Sequence, residues 1–454
     1  MARAGAPGRR GGRRDGGRPQ RTLRARLASL LAAGVALLLG AAALAGCGSV
    51  QGGAGARFVT PPLVRYSAVL WPVPLQLVGA EPGAHLRLSS RLATAHGEWR
   101  SAATYTVPAS GILDLATARP QFAPFTAPDS AGLFWSLRGP RLPEAVAVRQ
   151  WMRDALQVTV TASDGDRVVA SRRFALAGLA ASLSVRTLYT RDLRAAIDPR
   201  LPRETHEDVP LGTFYSAATL EHPQAPAVLM FDDATPGASA DYTAPLIAQF
   251  GASVLRIPVV PASDGIRSAG IVSASTVDAA LRWLAERPDI VQGKLFVYGT
   301  GVAEQVALWA ATRFPSRVHG LFLAGGSPAL LCLPATRVSP AVEGSVSLPC
   351  LSGARTVEPS AIPPIDGVEG PVVLACGEQD AVLPNACDWQ RRLAETRQPR
   401  EGDAVIYAGG AGHAVSVPPG LPIGLPAAGG QPTERARVAF WDAVGRALLQ
   451  VVLQ

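Results

Sequence analysis

A chain of 454 residues, 48% hydrophobic and 17% charged, has a globular composition and is long enough for two or three domains. Its net charge of +8 comes from the amino terminus: of 43 basic and 35 acidic residues, nine arginines and one aspartate fall in residues 1–46, which leaves 34 of each. The remainder is neutral, so there is no basic footprint for nucleic acid, and that class of partner is set aside on charge.

The arginine-rich start runs into the uncharged apolar segment 27–45, which ends in Leu44-Ala45-Gly46-Cys47. A basic region, an apolar region and small residues before a cut form an export signal rather than part of a fold. The string ending in Cys47 resembles the lipobox of bacterial lipoproteins. That resemblance implies cleavage before Cys47, lipidation of its thiol and anchoring to an extracytoplasmic membrane face, with acyl chains rather than a helix as the anchor. Residues 1–46 are then a signal peptide. Residues 47–57, containing the glycine-rich, uncharged run Gln51 to Ala56, are a flexible tether.

From residue 58 to 176 the pattern is short alternating runs broken by turn residues: Leu75 to Val78, His85 to Leu88, Trp99 to Val107, Leu156 to Val160 and Arg167 to Val169. Period two punctuated by Pro-Gly and Asp-Gly predicts an antiparallel β-sandwich, with a hairpin at Ala162 to Asp166. Trp99 and Trp135 read as packing residues. Within this stretch stand Trp99-Arg100-Ser101, Gly111-Ile112-Leu113-Asp114-Leu115 and Gly132-Leu133-Phe134-Trp135-Ser136. These strings make the region similar to the amino-terminal domain of the acyl-CoA thioesterase and bile acid-CoA:amino acid N-acyltransferase (BAAT) family. The resemblance implies an immunoglobulin-like sandwich ahead of an α/β-hydrolase domain. Residues 177–207, ending in a proline- and charge-rich stretch from Pro199 to His206, are expected to be the linker.

Residues 208–454 alternate apolar runs with helical ones: Ala227 to Phe231, Tyr242 to Phe250, Ser253 to Val260, Val277 to Glu286, Leu295 to Tyr298, Val318 to Ala324, Val372 to Ala375, Ala404 to Tyr407 and a closing helix over Glu434 to Val452. That alternation predicts βαβ units and a mainly parallel sheet. The resemblance to the thioesterase family continues here, down to Gly429-Gly430 and Trp441.

An α/β hydrolase carries G-x-S-x-G on a tight strand-to-helix turn, then an acid, then a histidine, in that chain order. Here the turn reads Gly299-Thr300-Gly301-Val302-Ala303. Aligning the helix that follows puts Gly301 in the nucleophile slot. A frame shifted by one puts Thr300 there, where its extra methyl crowds the turn. Asp380 follows the Val372 to Ala375 strand and matches the family's acid, and His413 in Tyr407 to His413 (YAGGAGH) matches its base. The other histidines, His85, His96, His206, His222 and His319, have no such surroundings. After the Val228 to Phe231 strand the family has a glycine-rich turn, whereas this chain has Asp232, Asp233 and Pro236. Two anions and a missing amide disfavour an oxyanion there.

Beyond Cys47 the chain has Cys332, Cys350, Cys376 and Cys387, an even number in an oxidising compartment. Four cysteines allow three pairings. Sequence-local bridges, Cys332 with Cys350 and Cys376 with Cys387, close short loops and are favoured, with four buried free thiols as the alternative. Their spacing does not suit structural zinc, and neither a metal nor a cofactor is expected. What the resemblance and the altered elbow imply together is an acyl or other apolar small-molecule ligand, held without turnover or with weak turnover. The alternative is an acyl thioester or ester hydrolase working through Thr300 or through water activated by His413.

Overall fold

The computed structural model describes residues 55–59, 69, 74–179, 183–193, 210–219, 222–232, 235, 237–258, 271–333, 337–352, 357–423 and 430–453. The export signal, Cys47, the stretch from Pro199 to His206, and Asp233 and Pro236 lie outside the described residues. In the amino-terminal part, β1 (Arg57–Val59), β2 (Gln76–Val78) and β5 (Ile112–Asp114) form one antiparallel sheet. Beside it stands a four-stranded antiparallel sheet of β3 (His85–Thr94), β4 (Gly97–Thr106), β6 (Leu156–Asp164) and β7 (Arg167–Leu176), in the order β4-β3-β6-β7. Period-two burial explains both: in β3 every second residue from Leu86 to Leu92 is buried, while Arg87 and Arg91 face out. The hairpin read in the sequence closes on Asp164 opposite Arg167, with Gly165 at φ +56°. Trp99 and Trp135 are buried packing residues, Trp99 edge-on to Trp151 at 5.5 Å. Short helices α1 (Gly132–Trp135) and α2 (Glu144–Val148) cover this part.

The second half is built on an eight-stranded mixed sheet. Its strands in chain order are β8 (Ser184–Tyr189), β9 (Pro210–Ser216), β10 (Ala225–Phe231), β11 (Ser253–Ile257), β13 (Ile290–Thr300), β14 (Gly320–Ala324), β17 (Val372–Gly377) and β18 (Ala404–Ala408). The spatial order is β8-β9-β11-β10-β13-β14-β17-β18; β9 runs antiparallel to both neighbours and the rest of the ladder is parallel. The small strands β12 (Val272–Ser273), β15 (Ala341–Glu343) and β16 (Val346–Ser347) form a separate sheet. β8 is a correction to the expected linker, since it lies inside 177–207 and pairs with β9. It is an edge strand whose first four residues are exposed, so its sequence carries no buried alternation.

The inner strands carry buried apolar runs because helices cover both faces. Val228, Met230, Phe296, Tyr298 and Phe322 pack on the side of α3 (Ala240–Gln249) and α7 (Gly430–Val452), in a core continuous with that of the amino-terminal sheets. Ala227, Leu229, Val297, Leu321 and Leu323 pack on the side of α4 (Ala274–Ala285), α5 (Glu304–Arg313) and α6 (Ala386–Glu395). Residues from Gly55 onward form one compact unit. The chain leaves β10 towards β11 on one side and reaches β13 on the other. That reversal makes the carboxyl ends of β10 and β13 a switch point, where open α/β sheets place their ligands.

Candidate functional site

The turn after β13 has the shape of a nucleophile elbow. Thr300 is the extended last residue of the strand (φ −131°, ψ 159°), and Gly301 at φ +53° opens a single 3-10 turn leading into α5. A left-handed φ at this point favours glycine. Strand and helix meet closely here: a Cβ on Gly299 would stand 2.4 Å from that of Ala307, and one on Gly326 would stand 2.4 Å from the carbonyl oxygen of Gly301. The buried Glu304 fixes the start of α5, its Oε2 accepting the Gly326 amide at 2.8 Å and its Oε1 the Gln390 side-chain amide at 2.5 Å. Gly301 is therefore the apex. Thr300, the alternative nucleophile, pairs with Ala324 in the ladder and is completely buried.

Asp380 and His413 meet at the carboxyl ends of β17 and β18. His413 Nδ1 donates to Asp380 Oδ2 at 2.7 Å, while Asp380 Oδ1 accepts the amides of Val382 and Leu383 at 2.8 and 2.9 Å. The carboxylate is thus locked, and with the Nδ1 proton committed to it, the neutral ring presents Nε2 as an acceptor. Nε2 lies 3.3 Å from Oγ1 of Thr235, on the loop after β10. The Gly325-Gly326 turn links the two halves of the site: Gly326 abuts the Gly301 carbonyl, and a Cβ on Gly325 would stand 3.2 Å from the His413 carbonyl oxygen.

The histidine loop hangs on one face of α7. Thr433 Oγ1 accepts the Gly412 amide at 2.9 Å, Arg437 Nε donates to the Ala414 carbonyl at 2.8 Å, Glu434 Oε1 accepts the Gly420 amide at 2.6 Å, and Trp441 Nε1 donates to the Ser416 carbonyl at 2.9 Å. Burial pushes the Glu434 carboxyl up to about 7, against the pull of Arg437, and the same burial lowers the Arg437 guanidinium. One turn back, Gln431 Oε1 accepts the amides of Thr126 and Ala127, so the amino-terminal part holds the start of this helix.

Asp232 corrects the oxyanion argument. It is no loose anion: Oδ1 accepts the Ala240 amide at the start of α3 at 2.7 Å, and Oδ2 is paired with the guanidinium of Arg256. It ties the start of α3 to β11. The bridges Cys332–Cys350 and Cys376–Cys387 are both formed, the second tying β17 to α6 on either side of Asp380. Beside α5 opens a hollow of about 320 Å³, walled by Gln305, Trp309, Leu330 and Leu351. Sequence reasoning missed Thr235, Glu304, Gln390 and the gripping face of α7; only the spacing of Thr433, Arg437 and Trp441, on one side of a helix, carried a signal for any of them. Among the described residues no three metal-ligating side chains converge, and no helix is long and apolar enough to cross a membrane.

A mixed sheet of this order, with a sharp turn after its fifth strand and an acid and a histidine after its last two, is that of an α/β hydrolase. Ahead of it, residues 71–185 match the family described as the acyl-CoA thioester hydrolase/BAAT N-terminal region, so the chain joins that region to a hydrolase-type sheet. Solved structures similar to the chain include dienelactone hydrolase from Anabaena variabilis, 17% identical with a TM-score of 0.35, over 57% of this chain and 96% of that one. Carboxyl esterase 2 from Tuber melanosporum is 13% identical with a TM-score of 0.36, over 59% and 88%. The thermostable carboxylesterase EstE1 from a metagenomic library is 15% identical with a TM-score of 0.37, over 60% and 90%. No curated protein sequence matches the chain.

Proposed function

We propose that this protein is a lipid-anchored lipoprotein of the extracytoplasmic cell envelope. In this reading residues 58–176 are an immunoglobulin-like sandwich, and the hydrolase domain binds an acyl ester or thioester and turns it over weakly. The observation that carries this is the combination at the site: a locked Asp380–His413 pair beside an elbow whose apex, Gly301, has no side chain. The base and its orienting acid are what an acyl hydrolase needs after its nucleophile. The hollow beside α5 has an apolar wall suited to an acyl tail. Outside the cytoplasm, an envelope ester or lipid fits such a site better than acyl-CoA does.

Gly301→Ser tests it. The serine hydroxyl stands where the fold keeps its nucleophile, and hydrolysis of short p-nitrophenyl esters and acyl thioesters should rise about 10- to 100-fold over wild type. That gain is a fraction of what a complete triad gives over its residual activity. The gain should vanish in Gly301→Ser combined with His413→Ala. A folded serine variant no faster than wild type, or a gain indifferent to His413, would sink the reading.

A further inference from the structure

We infer that the hydroxyl lost from the elbow is supplied from the opposite loop, and that Thr235, activated by His413, is the acyl acceptor of this site. The inference rests on the reading of the site as an acyl hydrolase and names the atom that does the work.

Three observations converge on Thr235. His413 Nε2, the nitrogen left as acceptor once Nδ1 is bonded to Asp380, stands 3.3 Å from Thr235 Oγ1. Hydroxyl, imidazole and carboxylate thus form a relay. Catalytic hydrogen bonds are often this loose without substrate. The chain order Thr235, Asp380, His413 is also the order of nucleophile, acid and base on this fold.

The second observation is backbone support on the side of α3. The Thr235 carbonyl accepts the Ala238 amide at 2.9 Å, and five residues further on the Ala240 amide is held by Asp232, itself fixed to Arg256. Reactive side chains need this kind of support from their surroundings. The third is access: Thr235 is half-buried, whereas Thr300 is wholly enclosed.

The chemistry balances with water as the only co-reactant. Thr235 Oγ1 attacks the carbonyl carbon of the ester or thioester as its proton passes to His413 Nε2. The tetrahedral intermediate collapses, the C–O or C–S bond breaks, and the alcohol or thiol leaves with that proton. Water then attacks the acyl-threonine ester while His413 takes its proton. Collapse releases the carboxylic acid and returns a proton to Thr235 Oγ1.

The test uses the full chain with a fluorophosphonate probe, peptide mapping of the adduct, and p-nitrophenyl acetate turnover. The adduct should map to Thr235. Thr235→Val, which keeps the shape and removes the hydroxyl, should lose the adduct and about 100-fold of turnover, a loss of the kind that follows removal of a triad member. Thr235→Ser should carry the adduct on the new serine, which also decides the matter if the valine variant melts early. An adduct on Thr300 would overturn the proposal. So would a valine variant as fast as wild type while His413→Ala is inactive; that pattern means histidine-activated water, and the hydrolase reading survives it. A wild type without turnover, beside an active Gly301→Ser, removes Thr235 and the weak turnover and leaves only the acyl-binding site of that reading standing. Inactivity of every variant, Gly301→Ser included, removes both.

Discussion

Glu434 makes the stability of this protein depend on pH in a direction opposite to that of most carboxylates. Buried under the histidine loop, its carboxyl is pushed up to about 7 from an ordinary value of about 4.3. Between those values the folded chain holds a proton that the unfolded chain has released. The native state therefore binds more protons, and stability falls as pH rises through the window. Below about pH 4.3 both states are protonated and nothing is lost. Above about pH 7 the full difference applies, about 4 kcal/mol at ~1.4 kcal/mol per pH unit. Asp129, near the start of α7, is also raised by burial and adds with the same sign. Urea unfolding of wild type and Glu434→Gln at pH 5 and pH 8 separates the two, because Asp129 is common to both and only the wild type titrates at position 434. The wild type should lose about 3 kcal/mol more than the variant between these pH values. Equal losses would show that the native carboxylate is already charged at pH 5, held so by Arg437, and that the burial argument fails.

Removing the Cys376–Cys387 bridge with paired alanines should cost about 3 kcal/mol, from the entropy of closing a loop across 11 positions, and should loosen Asp380; unchanged urea unfolding would refute it. Changing Cys47→Ala should move the protein from the membrane to the soluble fraction or leave an unprocessed precursor, and equal incorporation of labelled fatty acid into both forms would contradict the lipoprotein reading.

The large sheet was legible wherever strands are buried on both faces, because such strands read as unbroken apolar runs. Leu295 to Tyr298 and Val372 to Ala375 are of this kind. Asp380 was legible because it follows such a run, and His413 through the glycine-rich string from Tyr407 to His413 after the half-exposed edge strand β18. β8 was not: Ser184 to Thr187 face solvent, so the strand looks like a connector and is revealed only by its ladder with β9. α6 escaped for another reason: its strongly polar outer face, with Asp388, Arg391 and Arg392 around the buried Trp389 and Leu393, left few apolar positions to mark it. Thr235 had no local signal at all, since its meaning comes from an approach across 178 positions of sequence. Asp232 was misread for a related reason. Its charge was visible, but the arginine that neutralises it sits on the next strand.

The conformation at Gly301 also bears on how readily this site could change. A residue with a Cβ held near φ +50° carries roughly 1–2 kcal/mol of backbone strain, which hydrolases with a serine at the apex must hold in check through the surrounding packing. Here that packing is still in place in the tight contacts at Gly299 and Gly326, but the turn it confines carries no such load. The elbow is consequently a relaxed version of a spring-loaded part. A side chain introduced at residue 301 would therefore run uphill in fold stability before it could yield a reaction, so the conformation itself favours keeping the glycine.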